Sequence, residues 1–461
     1  MCRCLALLGV VCAALGCARY TPAPLDPAGT AQAYAARRLD APGFEDWLAA
    51  HGGADSAWTS ATLSLAALYF HPAVARARAA WETTRAAERT AGARPQPDLQ
   101  SELGYATSNA VFESRWLVLL SAVFTVELGG KRGARVIAAR ARTAVAETDL
   151  EGTAWRTTRA VRAAAVELAG AKERLADAAL GSDRVSAFAA RLQRRYDEGT
   201  LGRADLAAIE AEAADARAGA AHEQAGVDAA QVTLARAAGL PPAALENVRI
   251  APESLPACVA HSGDSLQALA LRRRPDVGRA LAEYAVAEAD LRVAVAGSYP
   301  DVSLGPSFNW DQGIARWSLL LGLPRLPLNG NRGPIGEGVA RRREAAARFT
   351  ERQEAVLEEV SDAVAGCGIA LADAEGADSV REATERRAEL ARSAYERGEI
   401  GVTDLEPLEL AETRALRDLH AARQRLAAAG LALETAAGAW PPGSPGWPDP
   451  REPVKPEEDS R

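Results

Sequence analysis

Five histidines, His51, His71, His222, His261 and His420, are the first places to look for chemistry in this chain. None belongs to a Cys/His cluster with the ligand spacing a zinc ion needs. Cys258 and His261 stand three positions apart, but one pair in a Pro-rich stretch makes no metal centre. Gly129-Gly130-Lys131-Arg132-Gly133 has the small residues and the lysine of a phosphate loop. It lacks the Gly-x-x-x-x-Gly-Lys-Ser/Thr spacing that wraps backbone amides round a phosphate, and reads instead as a strand-to-helix turn. No nucleophile elbow, zinc-protease helix or dinucleotide fingerprint occurs. The many Asp and Glu residues fall along helical stretches and read as solvated faces. The expectation is no enzyme, no cofactor and no resident metal.

The cysteines carry a different signal. Arg3 is followed by an almost wholly apolar stretch, Leu5 to Leu15, and then by Gly16-Cys17. A short positive region, an apolar run and small residues make a secretory signal. The Gly-Cys junction resembles a bacterial lipobox, in which the cysteine becomes the lipidated first residue, although Ala14 stands where Leu is usual. Ala18, with no acid after the cysteine, favours sorting to the outer membrane. Removal of residues 1–16 leaves Cys17, Cys258 and Cys367, which are too few and too scattered for a disulfide framework.

Net charge −8 and a pI near 5.5 argue against a nucleic-acid partner, which calls for a basic face. After the signal no run of about 18 apolar residues remains, so any part that crosses a membrane must be β.

These elements come in duplicate. Arg195-Tyr196-Asp197-Glu198-Gly199 recurs as Ala394-Tyr395-Glu396-Arg397-Gly398, and Gly202, Asp205-Leu206 and Glu210 recur as Gly401, Asp404-Leu405 and Glu409. Further upstream Pro72, Trp81 and Pro97-Asp98 pair with Pro275, Tyr284 and Pro300-Asp301, and Arg115-Trp116 pairs with Arg316-Trp317. Each repeat reads helix, two strands, long helix, tip, helix. Residues 133–197 and 334–397 are Ala-rich and far longer than an ordinary helix, roughly 100 Å at 1.5 Å per residue. Val161, Ala165, Leu168 and Leu175 form a heptad-like seam. Gly199 and Gly398 suit the left-handed position that ends a helix. Asp205 and Asp404 fall where an acid favours the start of the next helix. Tyr196, Gly199, Tyr395 and Gly398 thus mark two tight helical turns.

Residues 114–128 alternate with period two. Trp116, Val118, Leu120, Ala122, Phe124, Val126 and Leu128 share one face, suited to lipid, while Arg115, Leu117, Leu119, Ser121, Val123, Thr125 and Glu127 share a wetter or mixed one. Four strands, about 98–109, 114–128, 301–310 and 315–323, have lengths near the 9–11 residues that cross a bilayer at a tilt. Four strands cannot close, and open edges cannot face lipid, so the chain must assemble. Three copies would supply twelve strands.

The expected organisation is a signal peptide at 1–16, an N-terminal tether at 17–57, repeat 1 at 58–238, a linker at 239–262, repeat 2 at 263–438 and a Pro-rich tail at 439–461. The duplicated layout, the two Tyr-x-x-Gly tips and the lipobox together resemble the TolC-like outer membrane efflux family over roughly 60–438. Glu127-Leu128-Gly129-Gly130-Lys131-Arg132 is similar to the strand exit of the CzcC-like heavy-metal branch. The resemblance implies a mainly α protein with membrane β. It implies a homotrimer with a 12-stranded barrel in outer-membrane lipid and a long periplasmic α-helical barrel. Its partners would be a periplasmic adaptor and an inner-membrane pump, and its cargo metal ions or small toxic compounds. It also implies that Asp404, nine positions after the tip tyrosine, lines a periplasmic gate, with Pro407 where the family often has a second acid. A protein-secretion outlet of the same fold and a structural periplasmic coiled-coil lipoprotein are the alternatives.

Overall fold

The computed structural model describes residues 20–51, 58–107, 114–246, 248–251, 258, 263–311, 313–323, 328–439 and 451. The proposed signal and Cys17 lie outside them, as do the rest of the tail and His261.

Repeat 1 runs α3 (Ser60–Phe70), α4 (Pro72–Gly92), β1 (Asp98–Tyr105), β2 (Trp116–Val126), α5 (Lys131–Asp197) and α6 (Arg203–Ala237). Two short helices precede it, α1 (Pro27–Ala35) and α2 (Pro42–Ala50). Repeat 2 runs α7 (Gly263–Arg273), α8 (Pro275–Ala296), β3 (Val302–Asp311), β4 (Ile314–Gly322), α9 (Arg332–Glu396) and α10 (Val402–Ala436). The first helical stretch of each repeat, read from sequence as one piece, is two helices. Pro72 and Pro275 sit at N1, where the missing N–H costs nothing, and each pushes the residue before it into extended backbone. His71 (φ −73°, ψ 123°) and Arg274 (φ −72°, ψ 125°) are those residues.

The long helices α5 and α9, of 67 and 65 residues, reverse into α6 and α10 at the tips. Alanine lets the two hairpins approach closely. Where α5 crosses α10, Val166 packs on Ala427 and Leu431. The main core lies at mid-height. Val161, Ala164, Ala165 and Leu168 of α5 pack with Leu63 and Leu65 of α3, Leu234 of α6, Phe44 of α2 and Leu240. Tyr34 of α1 donates to the Leu240 carbonyl at 3.2 Å and Arg37 to Gly239 at 2.8 Å, which fastens the N-terminal segment to the end of α6. A matching core in repeat 2 joins Leu266 and Ala270 of α7, Val277 of α8, Val356 and Val360 of α9 and Leu433 of α10.

One expectation is overturned here. Cys258, in the linker, forms a disulfide with Cys367 in the middle of α9, with a Cα–Cα distance of 5.5 Å across 109 positions. Two cysteines so far apart in sequence give no spacing signal; only the fold brings them together.

The four strands form one antiparallel sheet in the order β1-β2-β3-β4, so the two repeats meet through the β2–β3 pair. Strands β1 and β4 are its edges, and each leaves one side unpaired within the chain.

Candidate functional site

The sheet is built by alternation. Its register aligns Leu120 with Ser101 and Phe308, Phe308 with Trp317, and Phe124 with Leu304 and Leu304 with Leu321. One face therefore carries Leu99, Leu103 and Tyr105 of β1, Trp116, Val118, Leu120, Ala122, Phe124 and Val126 of β2, Leu304, Phe308 and Trp310 of β3, and Trp317, Leu319 and Leu321 of β4. Ser101 is its one polar side chain in the paired register. Most of these side chains project into the open: Trp317 is 80% exposed, Leu99 76% and Leu319 70%. Leaving so much apolar surface on one face of a monomer marks a place where something apolar covers it. The other face carries Asp98, Gln100, Glu102, Ser121, Thr125, Ser303, Ser307, Asn309, Asp311, Arg316 and Ser318, mixed with Leu117, Leu119, Val123, Ile314 and Leu320. Ser307 and Ser318 hydrogen-bond across it at 2.7 Å.

At the base of the sheet the chain turns into the long helices. Gly129 and Gly130 take left-handed backbone (φ 68° and 70°), and a Cβ on Gly129 would fall 2.4 Å from the Tyr299 ring. Lys131 donates to Asp301 at 2.7 Å, and Arg135 pairs with Glu127. The turn that resembles a phosphate loop thus spends its lysine on a neighbouring carboxylate and caps a strand.

The opposite end holds the two tips. In repeat 1 Gly199 (φ 72°) closes α5, with its amide donating to Tyr196 and the Thr200 amide to Arg195, both at 2.9 Å. In repeat 2 Gly398 (φ 75°) closes α9 in the same way, onto Tyr395 and Ala394. Only glycine takes this left-handed step without cost. Tyr196 and Tyr395 are both exposed. Asp404 is exposed at N3 of α10, and its carboxylate accepts from the Gly401 amide at 3.2 Å.

A group missed from sequence lies just beyond. Glu406, beside Pro407, is only 1% exposed and pairs with Arg191 of α5. Around it Arg184 donates to the Glu409 carbonyl at 2.9 Å and to Thr413 Oγ1 at 2.5 Å, while Arg392 of α9 bridges Glu409 and Glu412. Burial holds the Glu406 carboxyl above the usual range, against the pull of Arg191. This belt ties the repeat 1 hairpin to the repeat 2 hairpin near the tips. Its sequence signal was slight: an acid directly before a proline within a helix.

Among the described residues no group of His, Cys, Asp and Glu could hold a metal, and no helix is long and apolar enough to cross a membrane.

An exposed apolar sheet thus stands at one end of helical hairpins some 100 Å long. The model of the outer membrane efflux protein family matches residues 266–439, most of repeat 2. Among solved structures the outer-membrane channel OprN is 21% identical, with TM-score 0.70 over 92% of this chain and 99% of that one. The outer membrane protein VceC of Vibrio cholerae is 20% identical, with TM-score 0.67 over 82% and 96%. The MtrE channel of Neisseria gonorrhoeae in its open state is 18% identical, with TM-score 0.64 over 82% and 89%. A sequence comparison with curated proteins finds no match. Residues 266–439 thus resemble the outer membrane efflux proteins, and the fold of the whole chain is that of the outer-membrane channels compared above.

Proposed function

We propose that three copies of this chain close into a duct that passively conducts metal ions or small toxic compounds across the outer membrane. The observation that carries this reading is the sheet: one face almost wholly apolar, and two edges left unpaired. Three four-stranded sheets joined edge to edge leave no open edge, put Trp116, Val118, Leu120 and Phe124 against lipid and turn Asp98, Gln100 and Ser121 toward a wet lumen. The helical hairpins then continue the duct through the periplasm to the tips. There a periplasmic adaptor and an inner-membrane pump hand over the cargo, and Asp404 from each copy lines the narrow end. The similarity of Glu127–Arg132 to the CzcC-like strand exit favours divalent metals as cargo. The pairing of Lys131 with Asp301 and of Glu127 with Arg135 fits a chain that passes ions along without holding them.

Cys17 carries the lipid in this reading, and chain length supports it. Tyr34 is held at Leu240, beside Val161 of α5. Val161 lies about 45 Å along α5 from the strand exit at Lys131. From Cys17 to Tyr34 an extended run followed by part of α1 also spans about 45 Å. The tether reaches the membrane when drawn nearly straight.

The experiment is extraction from isolated outer membranes into detergent, followed by native mass spectrometry. A trimer with acylated Cys17 as its first residue is expected. A monomer recovered from the soluble periplasm would sink the duct, and an unmodified N-terminus elsewhere would sink the anchor alone.

A further inference from the structure

The disulfide joins the stretch between the two repeats to the middle of a long helix. Cys258 belongs to the linker between the repeats, which leaves repeat 1 at the turn Pro242–Leu245 and enters repeat 2 at α7. Its partner Cys367 is 5% exposed and sits one helical turn from Val364, on the face of α9 that packs toward α7 and α10. Cys258 itself is half-buried against the same core. The bond is thus set about 50 Å along α9 from its start at the sheet and about 45 Å from the tip glycine, Gly398. No other covalent bond among the described residues joins the linker to a long helix.

Cysteine arithmetic makes the pair unambiguous. Cys2, Cys4 and Cys12 lie in the proposed signal, and Cys17 would be capped as a thioether. Only two thiols then remain in the exported chain, and they are the two the fold brings together.

We propose that this chain is a substrate of a periplasmic dithiol–disulfide exchange protein, and that the resulting bond clasps the linker onto repeat 2. The order of the exchange follows from burial. The Cys258 thiolate, on the half-buried linker, attacks the disulfide of the donor; a mixed disulfide forms and the second donor sulfur leaves as a thiolate. The Cys367 thiolate, in the middle of a helix, then attacks the Cys258 sulfur and the first donor sulfur leaves. Two thiols of this chain become one disulfide, one donor disulfide becomes a dithiol, and the two protons released are those the donor thiolates take up. The proposal needs export into an oxidising compartment but not conduction, so it stands or falls apart from the duct.

Three measurements test it on full-length protein. Protein extracted without reductant and alkylated with N-ethylmaleimide in denaturant should give a cross-linked Cys258–Cys367 peptide by mass spectrometry; alkylation of both residues overturns the proposal. Acid-quenched cells producing Cys367→Ser should contain a reductant-sensitive adduct through Cys258, and cells producing Cys258→Ser should contain none. An adduct with Cys258→Ser alone, or with neither variant, overturns the exchange route. Finally, Cys258→Ala/Cys367→Ala should be cut between Leu245 and Gly263 by a non-specific protease at least tenfold faster than the parent, while the tips are cut at the same rate. An unchanged rate overturns the clasp, even if the bond is found.

Discussion

The Asp404 carboxylate accepts a hydrogen bond from the Gly401 amide, whereas at the equivalent tip the Gly202 amide donates no such bond to Asp205. The two acids occupy the same helix position in the two repeats, yet only Asp404 reaches back to the amide of its N-cap glycine. Asp404 therefore stabilises its helix as well as holding a negative charge in the open.

If three Asp404 side chains ring the axis, they favour cations there. Asp404→Asn should weaken cation selectivity and block by trivalent cations applied from the periplasmic side, and cost about 0.3–1 kcal/mol of tip stability through the lost charge at the helix start. Asp205→Asn should alter neither conduction property. Matching bilayer recordings for the two variants would reduce Asp404 to a helix cap.

The middle of β2 is Ser121, so the best probes of the apolar face flank it. Leu120→Arg should cost about 2–4 kcal/mol of barrel stability, as for a cation at the bilayer midplane. Val118→Arg, two residues along on the same face, should likewise cost about 2–4 kcal/mol. Ser121→Arg, on the opposite face, should be mild. Urea unfolding in lipid vesicles measures all three, and equal midpoints would reverse the assignment of faces.

Much of this was legible because its signals are local. Period-two alternation marks β2 and β3, and the paired glycines after Tyr196 and Tyr395 mark the tips, since a left-handed helix stop needs glycine. What stayed hidden depends on residues far apart in the chain. Glu406 looks like any helix acid until Arg191, from the other repeat, is set against it. Cys258 and Cys367 lack any spacing pattern. The break at His71 was visible as Pro72, but a proline at N1 starts a new helix as readily as it kinks an old one.

The pair near the tips should respond unequally to loss of each partner. Arg191→Leu leaves Glu406 buried without its cation and should cost up to about 3 kcal/mol. Glu406→Leu leaves behind a partly exposed arginine, so its cost should be clearly smaller. The Arg191→Leu penalty should shrink in acid, because a protonated Glu406 is neutral. Thermal unfolding of both variants between pH 5 and about 8 is the check, and equal penalties at all pH values would contradict the pairing.

His71 gives a pH dependence of the other sign. Its Nδ1 accepts from the Ala73 amide at 3.2 Å, which requires a neutral ring, and burial followed by the Arg37 charge lowers its pKa. The folded value lies below the unfolded one, about 6.5. The stability it contributes is present above pH 6.5 and is lost as pH falls through the folded value. His71→Asn keeps an N-cap acceptor that does not titrate. The variant should lose less stability than the parent between about pH 7 and 5; an identical decline would remove His71 from the account.

Conductance of the purified protein in planar lipid bilayers bears most directly on the central claim. The account requires discrete, cation-preferring steps from folded trimers, altered by Asp404→Asn and abolished in preparations of Leu120→Arg that fail to insert. Folded protein that binds the bilayer yet leaves it electrically silent, with adaptor and pump absent or present, would contradict a duct.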